Sequence, residues 1–149
     1  MDTVFNRKVW REIIAAYSHT TVELLARVVK DLLADTHEHG TLRYFIRERK
    51  AAALAFYVAF IDGLAKVLFA ELVASFSEFA RTDNWTIMEN AVNAGFYEAK
   101  DYAEKIIALF ETGKQKPDKD WAKREIQKQL IDCLIPPSNT ASASQHSTA

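Results

Sequence analysis

The sequence predicts an all-α protein, an antiparallel helical bundle of five to seven helices. Three observations lead to this fold class. Apolar residues recur every three to four positions along most of the chain, which is the spacing of one helix face. No segment shows the period-two alternation that is typical of strands. The 149 residues include only four Gly and three Pro, and scarce turn formers favour long helices over many short strands.

The first forty residues predict two helices. Apolar residues at helical spacing in the first segment are Val9, Trp10, Ile13, Ile14 and Tyr17. Thr20 and Glu23 have the spacing of a capping box, so a second helix is expected to begin there. Its apolar stripe consists of Val22, Leu25, Val29 and Leu32, and Gly40 ends the region. Because the periodicity almost continues through residues 18–21, one long bent helix over 3–36 is the alternative.

Helical pattern continues from Thr41, a residue suited to an N-cap, to about Ala80, which predicts a long central apolar helix. Eleven residues precede the first charged side chain of residues 51–80, Asp62, whereas a membrane span needs about 20 mainly apolar residues. We therefore interpret 41–80 as the core helix of the bundle. A continuous helix would be roughly 60 Å long, but a compact domain of this size is about 40 Å across. We expect a break at Asp62 and Gly63, with burial of the overhang in a homodimer as the second option.

The sequence after residue 80 predicts two more helical regions and a tail. Asp83 or Asn84 caps a helix that ends at Gly113 and either continues or kinks at Gly95. Its apolar residues are Trp85, Met88, Val92, Phe96, Tyr102, Ile106, Leu109 and Phe110. After a linker, Asp118 or Asp120 starts a last helix, whose apolar residues are Trp121, Ile126, Leu130 and Leu134. Residues 1–135 are thus predicted to form a single domain, and 136–149, which lack hydrophobic anchors, a disordered tail.

Net charge and cysteine content limit the kinds of partner and the cell compartment that we expect for this protein. The net charge is -1, which gives no overall attraction to nucleic acid or anionic lipid. The net charge is +2 for residues 1–50, -5 for 51–113 and +2 for 114–149. Cys133 has no second cysteine to pair with, and the N-terminal residues carry charges where a signal peptide needs an unbroken apolar stretch. We expect a cytoplasmic protein that does not enter the membrane.

No motif predicts a catalytic residue, a cofactor or a metal. The sequence has no Ser/His/Asp or Cys/His set in a recognisable context and no Gly-rich phosphate loop. His37, Glu38 and His39 carry groups that bind metals, but residues two apart on a helix point away from each other. We predict an exposed polar helix end there, and a protein that is not an enzyme.

One segment resembles the DNA-binding part of TetR-type repressors. The matching residues, about a fifth of the chain, lie within 20–50 and are Thr20, Thr21, Val22, Leu25, Ala26, Gly40, Thr41, Leu42, Tyr44 and Phe45. The resemblance implies a helix-turn-helix, for which Arg43, Arg47, Arg49 and Lys50 would suit phosphate contacts. Between Ala26 and Gly40 the chain has about six residues more than the family pattern and lacks its small-residue turn. We therefore do not expect nucleic acid to be the principal partner.

Aromatic residues supply the last candidate site. Phe56, Tyr57 and Phe60 come from one region, and bulky rings at a kinked helix can leave a cavity for a small apolar or cationic ligand. The polar residues predicted to accompany them are Asp62, Lys66 and Glu71. Aromatic residues at helical spacing are nevertheless more typical of a core.

The leading functional hypothesis is a non-enzymatic protein-binding module, an adaptor that binds another protein or itself. It rests on the lack of any recognisable catalytic, phosphate-binding or metal-binding pattern. The alternative is a small-molecule-binding or DNA-binding regulator with an aromatic pocket in the helical core.

Overall fold

The computed structural model describes residues 2–134, and within this range the chain is all-helical. Its α-helices are Arg7–Ala16 (α1), Thr21–Thr36 (α2), Thr41–Arg47 (α3), Ala51–Ala59 (α4), Gly63–Leu68 (α5), Ala70–Thr82 (α6), Trp85–Gly113 (α7) and Trp121–Ile126 (α8). A 3₁₀ turn, Thr3–Phe5, precedes α1, and a π-helical turn, Gln127–Ile131, follows α8. One residue separates α5 from α6, so the two form one bent helix and the described bundle has seven, within the predicted range. The predicted fold class is confirmed, while the predicted tail at 136–149 lies outside the described residues.

The centre of the bundle is α7, which has 29 residues and a length of roughly 44 Å. It packs against α2, α3, α6 and α8. Tyr17 lies beside Phe110, with ring centroids 6.0 Å apart, and His37 lies beside Phe96 at 6.3 Å, so α2 runs antiparallel to α7. Of the two options at Gly95, the continuous helix is the one observed. None of the helices in residues 2–134 combines the length and hydrophobicity that a membrane span requires.

Side-chain caps set the helix boundaries that the sequence indicated. The Thr20 hydroxyl accepts the backbone N–H of Glu23 at 3.3 Å, and the Glu23 carboxylate accepts the backbone N–H of His19 at 2.7 Å. Two helices therefore occupy the first forty residues, and the alternative of one long bent helix is wrong. At the start of α7, the Asn84 side-chain oxygen accepts the backbone N–H of Thr86 at 3.2 Å. Such caps satisfy N–H groups that have no partner within the helix.

The predicted central helix over 41–80 is wrong, because this region is divided among α3, α4 and the bent helix formed by α5 and α6. The expected break at Asp62 and Gly63 is present, and Gly63 has a φ of +53°, a conformation that glycine adopts without steric cost. The earlier break, between α3 and α4, contains no Gly or Pro. There Arg49 has a φ of +54°, and its guanidinium lies 5.0 Å from the centroid of the Trp85 ring. The left-handed conformation, which L-residues disfavour, thus occurs at a residue that contacts the start of α7.

The breaks decide which side chains of the region are buried. Leu54 is fully buried, whereas Phe56 and Phe60 are 65% and 78% exposed. The expectation that aromatic residues at helical spacing belong to the core is wrong for these two phenylalanines, because it assumed a helix surrounded by others. In the structure α4 is a short surface helix that packs against α3 and α6. Two large aromatic rings therefore face outward.

Candidate functional site: an aromatic groove with acidic side chains

An open groove of about 640 Å³ lies beside α4. Helices α2 to α5 and the connection between α4 and α5 form it. Its lining residues are Val28, Asp31, Leu32, Asp35, Phe45, Ala53, Phe56, Tyr57, Phe60, Ile61, Asp62 and Ala65. We call this surface the aromatic groove. Most of its side chains are apolar, and its three charged side chains are all carboxylates.

Helical periodicity explains how two helices supply most of the lining. On α4 and its C-cap the lining positions are 53, 56, 57 and 60, and on α2 they are 28, 31, 32 and 35. Both sets have the spacing i, i+3, i+4, i+7, which places residues on one helix face. The two faces are joined by a hydrogen bond in which the Tyr57 hydroxyl donates to the Asp35 carboxylate at 2.8 Å. Two regular helices thus provide most of the groove, and the connection between α4 and α5 completes it.

Phe56 and Phe60 form the most exposed part of the groove. Their ring centroids are 6.3 Å apart and the ring planes differ by 11°, so the rings are stacked. Leaving them in contact with water forgoes the free energy that burial of a phenylalanine provides, about 1.5–3 kcal/mol each. Contiguous exposed apolar surface of this kind marks interaction sites on soluble domains. The pair contributes little to the bundle core and is accessible from the solvent.

The hydrogen-bonded pair Asp35 and Tyr57 places charge on a half-buried wall. Burial raises the pKa of Asp35, and the hydrogen bond from Tyr57 only partly offsets this rise. Burial, together with the negative charge of Asp35, raises the pKa of Tyr57 above its ordinary value, so the hydroxyl remains a donor. The Asp35 carboxylate is therefore less well solvated than a surface carboxylate. A cation placed in the groove would relieve this cost.

Two further carboxylates, Asp31 and Asp62, stand at the exposed part of the groove. The Lys30 ammonium lies 3.8 Å from the Asp31 carboxylate, a solvent-exposed pair of small energetic weight. No lysine, arginine or histidine lines the groove within the described residues. Its charge is consequently negative, and its chemistry suits an apolar ligand that carries positive charge.

The structure brings together four of the six residues predicted to bind a ligand. Phe56, Tyr57, Phe60 and Asp62 line the aromatic groove. Lys66 follows the lining residue Ala65 but is exposed and does not line the groove.

Glu71, the sixth predicted residue, belongs to a different part of the surface. It is exposed on α6 and lies near Glu98 of α7, whose pKa is raised by burial and by the negative charges of Glu71 and Asp101.

Sequence reasoning missed the wall that α2 contributes. Asp31 and Asp35 lie 22 or more positions before Tyr57, and the link between the two segments is tertiary. A signal was present nevertheless. Two aspartates share a helix face with Val28 and Leu32, and carboxylates within an apolar face point to a surface that is only partly covered.

The four basic residues predicted to contact nucleic acid do not form one uninterrupted basic surface. Arg43, Arg47 and Arg49 line a shallow cleft that also contains Glu38 and Glu89, and Lys50 does not line it. The Arg43 guanidinium donates to the backbone carbonyl of Thr36 at 3.0 Å. Arg47 lies 3.6 Å from the Glu48 carboxylate. These contacts join the arginines to their own chain and to neighbouring carboxylates.

His37 and His39 lie at the end of α2, with ring centroids 5.7 Å apart. The backbone N–H of His39 donates to Nδ1 of His37 at 3.2 Å, so a neutral His37 carries its proton on Nε2. Within residues 2–134, no group of three or more His, Cys, Asp and Glu side chains is arranged to hold a metal ion.

Comparison with known proteins places this chain in a family. A family model described as "Family of unknown function (DUF6866) C-terminal domain" matches residues 2–129. The chain belongs to this family. Neither the curated proteins nor the solved structures include a match to it. The part of the chain that matches the DUF6866 C-terminal domain includes every residue that lines the aromatic groove.

Proposed function

We propose that this DUF6866 C-terminal domain is a non-enzymatic protein-interaction module. Its aromatic groove holds a segment of a partner protein that presents apolar side chains together with lysine or arginine. The observation that carries this proposal is the stacked, exposed pair Phe56 and Phe60 beside the carboxylates of Asp31, Asp35 and Asp62.

The exposure of the rings favours a protein segment over an enclosed small molecule. Small-ligand pockets bury most of the ligand surface, whereas Phe56 and Phe60 project from the surface. Projecting aromatic side chains are the usual anchors of protein interfaces, where a few of them provide most of the binding free energy. An amphipathic helix that places its apolar face in a hydrophobic groove is an established mode of recognition.

The charge of the groove favours a basic partner. Three carboxylates and no cation line it within the described part of the chain. A lysine or arginine beside the apolar side chains of the partner would pair with Asp35, whose half-buried carboxylate has the most to gain. An acidic partner would be repelled by the same carboxylates, so charge also provides specificity.

The experiment compares two probe peptides in a fluorescence titration. One is a short amphipathic helix of leucine and lysine, and the other carries glutamate in place of every lysine. We expect saturable binding of the lysine peptide and no saturable binding of the glutamate peptide. We also expect the substitution Phe60→Ser to weaken this binding about tenfold or more, since loss of an aromatic anchor costs about 2 kcal/mol. Equal affinity for both peptides, or unchanged binding by the variant, would overturn the proposal.

Folding controls separate a lost anchor from a damaged bundle. Phe60→Ser should leave the free energy of unfolding within about 0.5 kcal/mol of the parent, as is usual for surface positions. Leu54→Ala, six residues earlier, removes a side chain with no exposed surface and should cost about 2–5 kcal/mol. Chemical denaturation measures both.

A second copy of the chain is the other protein that can occupy the groove. Native mass spectrometry of the parent and of Phe60→Ser tests this directly. If the parent is a dimer and the substitution dissociates it, the groove binds a second copy of the chain. This result would overturn the proposal that the groove binds a different protein. A monomer in both samples supports the proposal as stated.

A small apolar cation is the second candidate ligand, favoured by the aromatic rings and carboxylates that line the same groove. Benzyltrimethylammonium is a suitable probe for calorimetry. Binding of this cation that is tighter than binding of the lysine peptide, and that is lost in Phe60→Ser, would favour a ligand-binding regulator over the interaction module.

The cytoplasm is the location that we propose for this module. In support, Cys133 is an unpaired thiol, which suits a reducing compartment. Fractionation of cells that express the full chain, followed by detection of a C-terminal tag, tests this location.

A further inference from the structure

A second cleft, of about 780 Å³, lies on a different side of α2 from the aromatic groove. It is formed by the 3₁₀ turn Thr3–Phe5, α1, α2 and the turn that follows α2. Its lining residues are Val4, Phe5, Arg7, Trp10, Arg11, Ile14, Lys30, Asp31, Leu33, Ala34, His37 and His39. We call it the basic cleft. Its volume falls within the range of small-molecule sites, about 300–1,000 Å³.

The wall of the basic cleft is apolar and well anchored. Val4, Trp10 and Leu33 are buried. The Trp10 indole N–H donates to the backbone carbonyl of Val4 at 2.7 Å, so the indole presents no unsatisfied donor. Phe5 is 41% exposed and packs edge-to-face on His37, with ring centroids 5.1 Å apart. Phe5 and the half-buried Ile14 therefore provide the apolar surface that a bound molecule can cover, and the buried residues support it from beneath.

The charges around this wall are predominantly positive. Arg7, Arg11 and Lys30 line the cleft together with one carboxylate, Asp31. The formal charge is therefore +2 with both histidines neutral. Within residues 2–134 neither Arg7 nor Arg11 has a carboxylate within 4.0 Å. With respect to the described part of the chain, both guanidinium groups can therefore bind an anion without first breaking an ion pair.

The position of the turn is fixed by contacts outside the cleft. The Asp2 carboxylate lies 3.0 Å from the Lys100 ammonium of α7, and the Thr3–Phe5 turn packs against α7. The backbone of the turn that carries Val4 and Phe5 is therefore held in place from outside the cleft, while the side chains of Arg7 and Arg11 are exposed at its edge. Such preorganisation lowers the entropic cost of binding a small molecule.

We infer that the basic cleft binds a small organic phosphate, a dianion attached to an aromatic or short aliphatic body. Two arginines recognise phosphate oxygens with paired N–H donors, which a single lysine cannot reproduce. The positive formal charge of the cleft is equal and opposite to the charge of a phosphate monoester dianion. The apolar body covers Phe5 and Ile14, which contribute binding free energy that inorganic phosphate alone cannot obtain.

The test uses 1-naphthyl phosphate as the probe in calorimetric titrations of the full chain at low salt. We expect saturable binding with one site per chain. Inorganic phosphate and neutral 1-naphthol should each bind about tenfold more weakly or worse, because each lacks one of the two interactions. Inorganic phosphate that binds as tightly as the probe would overturn the proposal, and so would a titration without saturation.

Matched arginine variants locate the bound anion. Arg11→Gln should weaken binding of 1-naphthyl phosphate about tenfold, whereas Arg47→Gln, in the shallow cleft near α3, should leave it unchanged. Equal losses in both variants would indicate non-specific attraction and would reject the site. Thermal melts of both variants confirm folding, which is expected because Arg11 and Arg47 are exposed.

The groove variant keeps this test independent of the proposed protein interaction. Phe60→Ser removes an anchor that does not line the basic cleft, so it should bind 1-naphthyl phosphate like the parent. Asp31 lines both surfaces and is therefore left intact in every variant. Loss of phosphate binding in Phe60→Ser would contradict a separate site.

Discussion

At the scale of single residues, neighbouring positions of one short helix have opposite roles. Leu54 is fully buried in the bundle, while Phe56, two positions later, is largely exposed. Each residue of a helix is rotated by about 100° from the one before it. Position 54 therefore faces the core, whereas position 56 faces the groove. Tyr57 lies between these extremes, because its ring is half-buried and its hydroxyl reaches Asp35.

Asp35 leads to a prediction about pH. Burial raises its pKa in the folded state above the ordinary value of 3.8. As the pH rises through this raised pKa, the folded state bears the larger cost of ionisation, and the contribution of Asp35 to stability falls. Asp35→Asn removes the titration and retains a hydrogen-bond acceptor for Tyr57. We expect the free energy of unfolding of the variant, relative to the parent, to be larger near pH 7 than near pH 3.

Urea denaturation of the parent and of Asp35→Asn at both pH values measures this difference, and titrations shared by the two proteins cancel. Tyr57→Phe serves as the comparison, since it removes the hydrogen bond that lowers the pKa of Asp35. Its stability should therefore fall more steeply with rising pH than that of the parent. A relative stability of Asp35→Asn that decreases toward neutral pH would show that the carboxylate is stabilised in the folded state.

At the scale of elements, the close packing of α6 on α7 depends on one pair of residues, Phe69 and Gly95. Phe69, the single residue between α5 and α6, is buried, and its ring lies where a side chain at Gly95 would project. A Cβ built on Gly95 would lie 2.5 Å from Cε1 of Phe69. Gly95 is thus required for the close approach of the helices, whereas Gly63 is required for its backbone conformation.

The substitution Gly95→Ala tests this packing. Alanine favours the helix by about 1 kcal/mol, but overpacking of a core contact costs about 1–3 kcal/mol. Because the Phe69 ring is enclosed, we expect overpacking to dominate and the free energy of unfolding to fall by about 1 kcal/mol. In a Phe69→Leu background the smaller side chain leaves room, and the same substitution should be neutral or stabilising. A stabilised Gly95→Ala variant of the parent would show that the helices separate easily.

At the scale of the whole molecule, two surfaces of opposite charge share α2. The aromatic groove lies on one side with its carboxylates, and the basic cleft lies on another with Arg7, Arg11 and Lys30. The net charge of -1 conceals this separation. Local charge, rather than the total, decides which ligand each surface favours.

The predicted domain boundary leads to a test by truncation. A chain that ends at residue 135 should melt within about 2 °C of the full chain, because the buried side chains identified in residues 2–134 all remain. A chain that ends at residue 126 loses Leu130 and Ile131, which are 4% and 1% exposed, and should be strongly destabilised. Thermal melts followed by circular dichroism compare the three chains. A large drop in melting temperature for the chain that ends at residue 135 would place part of the core beyond that residue.

Local sequence determined the helical character of this protein and several helix ends. Apolar spacing indicated α1, α2 and α7, and short-range caps at Thr20 and at Asp83 or Asn84 indicated two helix starts, of which the structure uses Thr20 and Asn84. These features depend on residues within one or two turns of each other, so they can be recognised without a fold. The break at Gly63 was also predictable, since glycine weakens a helix by its own chemistry.

Only the tertiary structure decided which helix is central and where the aromatic residues face. Arg49 adopts a left-handed conformation beside Trp85. No residue near Arg49 predicts the helix break between α3 and α4. Phe56, Tyr57, Phe60 and Asp62 were recognisable as a set, but their proximity to the carboxylates of α2 was not, because it depends on a tertiary contact. The reason is physical. Apolar periodicity indicates that a helix face is buried, but long-range packing determines which helix or partner buries it.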